Sequence, residues 1–362
     1  MQENILYQIR INPYVTQQEL ADNIGLSRSS VAGYIADLIK QGKITGRAYI
    51  LKEDTSIACI GGANIDRKAH GKQKLDLYSS NPVSISESSG GVARNVSENL
   101  SKLGANSALF TCVGTDKEGN WLLEEAKNFG MDVSQVWRMP DVRTGTYTAI
   151  LDIDGEMIIS TADMELYSQL TPAMIEGKWH HITNSRAVFI DTNLPAESIH
   201  YIIERCQHEK LSLYVDPVSI LKAKKLPENL QGIELIFPNK EEAEWLASMK
   251  INDLEDCEMA SRRIRERGVS KVVITLGEEG AYYAEDGSAG HVTPIKTEVA
   301  DVTGAGDAFS ACVTYALLEG YSLARASEMG QIASTLTLES DYTVSPLLNI
   351  EKIIEMTKER LS

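Results

Sequence analysis

The segment Asp301-Val-Thr-Gly-Ala-Gly-Asp-Ala-Phe309 carries the residue types best suited to moving a phosphoryl group. Gly304 and Gly306 permit close backbone approach, and the apolar stretch 308–318 that follows has a helical composition. Amides at a helix N-terminus form an anion hole that can hold developing phosphate charge. Asp307 at the same turn offers a carboxylate that can accept the proton of an attacking hydroxyl. Taken alone, the pattern is equally a structural glycine turn with Asp307 as its cap. Two further segments add weight. Gly90-Gly-Val-Ala-Arg-Asn-Val-Ser-Glu-Asn-Leu-Ser-Lys-Leu-Gly104 opens an amphipathic helix with paired glycines and places Asn95 one turn in. Gly61-Gly-Ala-Asn-Ile-Asp66 closes an apolar run, at the strand end where open α/β sheets bind ligands. Its Asn64 and Asp66 supply an amide and a carboxylate suited to a vicinal diol.

Together these residues closely resemble the ribokinase family of sugar and nucleoside kinases, from Ile57 to near the C-terminus. The resemblance implies that Asp307 is the catalytic base, with Gly304, Ala305 and Gly306 as the anion hole. It implies that Asn64, Asp66, Gly90, Gly91 and Asn95 hold the ribosyl hydroxyls. Phe237-Pro-Asn-Lys-Glu-Glu242 matches the family's P-N-x-x-E element, in which Asn239 and Glu242 organise Mg2+ through water; the bland alternative for Glu242 is a solvated first-turn acid. Thr275-Leu-Gly-Glu-Glu-Gly280 matches the nucleotide loop, with Thr275, Gly277 and Gly280 beside the ATP phosphates and Gln331 near the adenine. Asp301 and the Thr303 carbonyl match a monovalent-cation site, implying K+, although Asp301 serves equally well as a turn cap. The strings Ser80-Asn-Pro82, Gly91-Val-Ala-Arg-Asn95, Asp154-Gly-Glu-Met157, Ala162-Asp-Met164, Val215-Asp-Pro-Val-Ser219 and Pro294-Ile-Lys-Thr297 resemble the pseudouridine-kinase branch. Thr148 and Asp163, on the lid side, then either face the base or sugar or are solvent-exposed. The implied reaction transfers the ATP γ-phosphoryl group to a ribosyl 5′-hydroxyl. The rivals are another nucleoside or a free sugar as acceptor, and a transcription regulator that keeps the fold as a ligand sensor. Intact Asp307, Gly304, Gly306, Asn239 and Glu242 argue against the last.

The elements that must position these groups alternate along the chain. Apolar runs at 57–61, 108–113, 187–190, 212–215, 235–238 and 271–275 read as strands. Helical patterns at 92–103, 119–129, 196–208, 240–247 and 257–267 separate them. This alternation predicts an α/β fold with a parallel sheet covered on both faces. In the family's terms it is a ribokinase-like three-layer sandwich with a mostly parallel central sheet, spanning 57–362. Two interruptions, 67–88 and 145–160, predict a small β lid, with a type I′ hairpin at Asp154-Gly155.

The first 52 residues read differently. A short helix over 3–11 ends at Asn12-Pro13. Thr16 and Glu19 form a capping box, Gly25 suits a tight turn, Ser27 caps a helix over 29–40, and 42–50 reads as a hairpin. This order resembles a winged helix-turn-helix, with Ser27, Arg28, Ser29 and Ser30 opening the recognition helix and Tyr34 on its surface. The alternative is a helical adapter without DNA contact. Residues 1–52 carry a net charge of +2 in a chain whose net charge is −16, so contact with duplex DNA is expected there alone, and from a homodimer. Cys59, Cys112, Cys206, Cys257 and Cys312 are widely spaced and odd in number, which suits reduced thiols. No apolar run has bilayer length and Met1 to Arg10 do not form a signal peptide, so the chain is expected in the cytoplasm with no membrane partner.

Overall fold

The computed structural model describes residues 1–11, 15–45 and 56–359. Three helices open the chain: α1 (Gln2–Ile11), α2 (Gln17–Ile24) and α3 (Arg28–Lys40). Thr16 and Glu19 form the expected reciprocal cap, with Thr16 N to Glu19 Oε2 at 2.7 Å and Glu19 N to Thr16 Oγ1 at 3.2 Å. Gly25 ends α2 at φ +69°. Ile5, Ile9, Leu20, Val31, Ile35 and Leu38 bury against one another as a core of their own. The expected hairpin lies, from residue 46 onward, outside the described residues.

The strands that follow are β1 (Ser56–Ile60), β2 (Asn64–Gly71), β3 (Val83–Gly90), β4 (Asn106–Phe110), β5 (Cys112–Gly114), β6 (Trp137–Met139), β7 (Thr146–Leu151) and β8 (Met157–Asp163). After these come β9 (Ala187–Asp191), β10 (Ser212–Asp216), β11 (Leu235–Ile236), β12 (Lys271–Thr275), β13 (Ala281–Glu285) and β14 (Ser288–Val292). The helices between and after them are α4 (Val92–Lys102), α5 (Lys117–Asn128), α6 (Pro172–Gly177), α7 (Trp179–Ile182), α8 (Ala196–Glu209), α9 (Ile220–Ala223), α10 (Lys240–Ala247), α11 (Leu254–Glu266), α12 (Ala305–Leu318), α13 (Leu323–Leu338) and α14 (Ile350–Glu359).

Among the described residues, the central sheet runs β14-β13-β12-β11-β10-β9-β1-β4. Pairing is parallel from β12 to β4 and antiparallel only at β13 and β14. Side chains alternate between faces along each strand. Ile60, Ile190, Val215 and Ile274 pack towards α8, α10 and α11. Cys59, Phe189, Tyr214 and Val273 pack towards α4, α12 and α13. The strands are therefore apolar throughout, as a sheet covered on both sides requires. The expected strand at 108–113 is two elements: β4 stays in the central sheet, while β5 pairs with β6 elsewhere.

A second sheet, β3-β2-β7-β8, is built from the two segments expected to form the lid, and is called the lid below. Its Asp154-Gly155 turn is not type I′, which needs positive φ at both residues. Only Gly155 is positive, at +85°. Gly155 N donates to Asp152 O and Asp152 N to Glu156 O, which makes a three-residue loop with the glycine closing it. The five cysteines are free and buried, and no described helix is long and apolar enough to cross a membrane.

Candidate active site

The site lies where β1, β9 and β10 end, beneath the lid. Helix α12 starts three residues earlier than the composition suggested, at Ala305, so Asp307 sits in its first turn. Gly304 precedes the helix at φ +82° with no side-chain cap, so no side chain occupies the first turn's amides; Ala305 N makes one long bond, 3.5 Å, to Val302 O. A Cβ at Gly304 would lie 2.0 Å from Thr343 O, so only glycine fits. A Cβ on Gly306 would meet nothing within 4 Å, which keeps the helix mouth open.

Five of the expected substrate residues, Asn64, Asp66, Gly90, Gly91 and Asn95, converge here. Asn95 Nδ2 donates to Asp307 Oδ2 at 2.8 Å, and Asn64 Nδ2 donates to Asp66 Oδ1 at 2.6 Å. A Cβ on Gly90 would strike the Asp66 carboxylate, and one on Gly91 (φ +101°) would strike Gly62 O. The glycine pair thus lets α4 lie directly on the Gly61–Asp66 loop. Burial is the main cause that pushes the Asp307 carboxyl up to about 7; Asn95 works against it, while Asp191 and Asp66 add repulsion. Burial likewise raises Asp66 to about 6, with Asn64, Lys68 and Arg94 working downward.

Sequence reasoning missed the residue that fixes this geometry. Asp191, fully buried at the end of β9, accepts from Gly62 N at 2.8 Å, Ala93 N at 2.9 Å and Asn193 N at 2.8 Å. It joins the glycine loop to the start of α4. A lone carboxylate closing an apolar run was the available signal. Lys222 Nζ reaches Asn193 Oδ1 at 2.6 Å beside it. In the Val215-Asp-Pro-Val-Ser219 string, Val218 takes φ +62°, a strained value for a β-branched residue, and Asp216 Oδ1 holds its amide at 2.8 Å.

For the two lid residues, the strand register favours the solvent-facing alternative. Thr148 pairs with Arg67, and Asp163 pairs with Thr146, which in turn pairs with Ile65. Paired residues share a face of a sheet, so Thr148 and Asp163 lie opposite Asp66 and Lys68. Tyr147, Ala149, Ser86 and Ser88 occupy the Asp66 face instead. Asp163 is fully on the surface.

On the nucleotide side, Thr275 and Asn239 form an isolated parallel bridge, and Thr275 N donates to Pro238 O. Gly277 is exposed at φ +59°. Gly280 is buried, since a Cβ there would lie 2.1 Å from Val292 O; its role is the turn. Gln331 is buried within α13. Glu242 is not a solvated acid: it is 3% exposed and shares a capping box with Asn239, donor–acceptor distances being 2.9 to 3.0 Å. Burial raises its carboxyl; it also raises Asp216 strongly, with Glu242 and Asp307 repelling. Acids that repel one another this way fit a dication. Glu242 and Asn239, already engaged with one another, suit a magnesium ion that keeps its own waters.

Potassium fits poorly. Asp301 Oδ1 accepts from Thr303 N at 2.9 Å and Oγ1 at 2.7 Å, and its other oxygen meets the Lys68 ammonium. Burial acts to raise Asp301, but Lys68 and Thr303 together hold it below the usual range. A second cation there would face the ammonium.

At the N-terminus, Ser27 Oγ accepts from Ser30 N at 3.2 Å and contacts the hydroxyls of Ser29 and Ser30. Arg28 is exposed. Tyr34, expected on the surface, is half-buried, because one turn beyond Val31 it flanks the packed face of α3.

Fold and site define a phosphotransferase with an alcohol acceptor. Residues 54–350 match the pfkB family carbohydrate kinase pattern and residues 2–45 the winged helix-turn-helix DNA-binding pattern; the chain belongs to the pfkB, or ribokinase, family. It is 31% identical to the uncharacterized sugar kinase YeiI of Escherichia coli over 98% of both chains. It is also 31% identical to the pseudouridine kinase of Escherichia coli, over 85% of this chain and 98% of that one. A crystal structure of a putative sugar kinase from Clostridium perfringens superposes with a TM-score of 0.75 at 28% identity, covering 85% of this chain and 96% of that one.

Proposed function

We propose that the chain phosphorylates the 5′-hydroxyl of pseudouridine with ATP. The observation that carries the reaction type is Asp307, which spends one oxygen on Asn95, keeps the other for a hydroxyl, and stands in the first turn of α12, whose amides no side chain caps. A base with pKa about 7 is half ionised at neutral pH, which suits proton acceptance. Asn64 and Asp66 hold the sugar diol. The hydroxyl oxygen bonds to the γ-phosphorus as its proton passes to Asp307, the β–γ bridging bond breaks, and ADP leaves. The amides of Gly304, Ala305 and Gly306 take up charge on the transferring group. Thr275 and Gly277 lie on the phosphate side. Glu242 and Asn239 would hold magnesium through water, and that ion neutralises the ATP phosphates when bound.

Pseudouridine as the acceptor rests on the branch-like strings and on the pseudouridine kinase relative. The full-length match to a sugar kinase supports a second reading, a sugar or another nucleoside. ATP turnover by the purified protein with pseudouridine, uridine, adenosine, inosine, ribose and fructose 6-phosphate separates them. The highest kcat/KM is expected for pseudouridine, and a clear win by another compound transfers the assignment.

Residues 1–52 are proposed to bind duplex DNA through Ser27, Arg28, Ser29 and Ser30, as a homodimer that couples the nucleoside to transcription. Support comes from the exposed start of α3 and the local positive charge. Fluorescence anisotropy with DNA from the protein's own operon should show salt-sensitive binding that Arg28→Ala weakens without touching turnover.

A further inference from the structure

Arg94 heads the large side chains that the fold hides, at 2% exposure. Nη2 lies 2.6 Å from Glu98 Oε2, and the guanidinium rests 5.7 Å from the centre of the Phe129 ring. Nη1 donates to Asn95 Oδ1 at 3.1 Å, while Nε has no hydrogen-bond partner among the described residues. Burying an ion pair this deeply is a weak way to gain stability. Its value lies elsewhere.

A guanidinium only donates. The Asn95 oxygen must therefore turn to Arg94, and the same amide must turn its Nδ2 to Asp307. We infer that Arg94 is a positioning residue, which fixes the Asn95 amide and sets a buried positive charge against the carboxylates that surround the base. Asp307 is faced by Asp66 from β2, Asp191 from β9, Asp216 from β10 and Arg94 from α4. The Arg94 charge works against that burial and repulsion, holding the Asp307 carboxyl down. Arg94 is faced in turn by Glu98 on its own helix, Glu125 from α5 and Asp66 from β2. Without it, the amide is free to present its oxygen to Asp307, and acceptor would meet acceptor. The charge also bears on whether Asp307 is ionised when the hydroxyl arrives.

This inference rests on Asp307 being the base, so the test has one arm that needs no substrate. In full-length Arg94→Met, kcat should fall roughly 10- to 100-fold, the usual cost of losing a supporting partner. ATP affinity should stay within about twofold, because the nucleotide residues are untouched. The acidic limb of kcat/KM should move up by about one pH unit as the buried cation disappears. Arg94→Lys keeps the charge but not the planar fork, so its limb should stay near wild type while kcat remains low. Glu98→Gln, which removes the carboxylate paired with Arg94, should move the limb down, and it keeps the claim testable if Arg94→Met does not fold. A carboxyl 13C titration of Asp307, assigned by its loss in Asp307→Asn, should show the same shifts in the absence of any nucleoside. Unmoved titrations in Arg94→Met and Glu98→Gln would overturn the role of Arg94. If no compound is turned over but the titration shifts, the kinase reading fails and the positioning role stands.

Discussion

The floor of the site and the lid above it are built on opposite principles. On the floor, Asp191 is fully buried and accepts three backbone amides, Asp307 is held by Asn95, and Arg94 is 2% exposed. On the lid, every residue of β8 is exposed, and the Arg67 pairs to Glu87 and Glu118 lie at the surface. Charges on the floor act through a medium of low polarity, whereas those on the lid are screened by water and salt. Exposed pairs like those of Arg67 contribute little. The difference is one of burial: the floor's charged groups are held by buried hydrogen bonds, while those of the second sheet stand at the surface. Lys68 on β2, in contact with Asp301 on the loop before α12, is the link between the two.

That contrast can be broken from either side. The largest effect should come from the floor: Gly304→Ala forces a Cβ against Thr343 O at a left-handed backbone position. Turnover should drop by about 10²-fold or more as the anion hole distorts, measured as kcat with thermal melting as a companion. Next comes the link. Lys68→Met should raise the nucleoside KM several-fold, on the order of one charge-assisted contact, with a smaller change in kcat. Wild-type turnover should be the same in choline chloride as in potassium chloride, because the ammonium already sits on Asp301.

A smaller effect concerns stability. Asp307 and Asp66 have folded values of about 7 and about 6, raised above those of an unfolded carboxyl. The native state therefore binds more protons than the unfolded one between those values, and stability falls as pH rises through that window. The penalty is complete above about pH 7, so Asp307→Asn should raise Tm by a few degrees at pH 8 and by less at pH 5. Differential scanning calorimetry at the two pH values reads the difference. The smallest effect belongs to the far face of the lid, where Thr148→Ala and Asp163→Ala should leave kcat/KM within about twofold. A large loss in either variant would mean that the lid turns its other face to the substrate.

What the sequence disclosed follows the same division. Glycines at 61, 90, 91 and 304 and the apolar alternation of the strands announced the floor, because steric demands leave few residue choices there. The lid hid its register. A one-residue step reverses a strand's face, and β2 and β7 show no apolar alternation strong enough to set it. The two orientations open to Thr148 and Asp163 could not be separated for that reason. Asp191 and Arg94 were invisible for another: their roles depend on partners more than 90 residues away or on the direction of a neighbouring amide. The Lys68–Asp301 contact joins segments 233 positions apart, and no local pattern signals it.

The central claim is that Asp307 takes the proton of the acceptor hydroxyl, and steady-state turnover of Asp307→Asn with its preferred acceptor tests it most directly. ATP binding and folding should be retained, while kcat falls by roughly 10² to 10⁴, the contribution of a positioned base. The residual rate should also lose its dependence on pH near 7. Near-wild-type turnover in that variant would contradict the account and remove Asp307 from the mechanism.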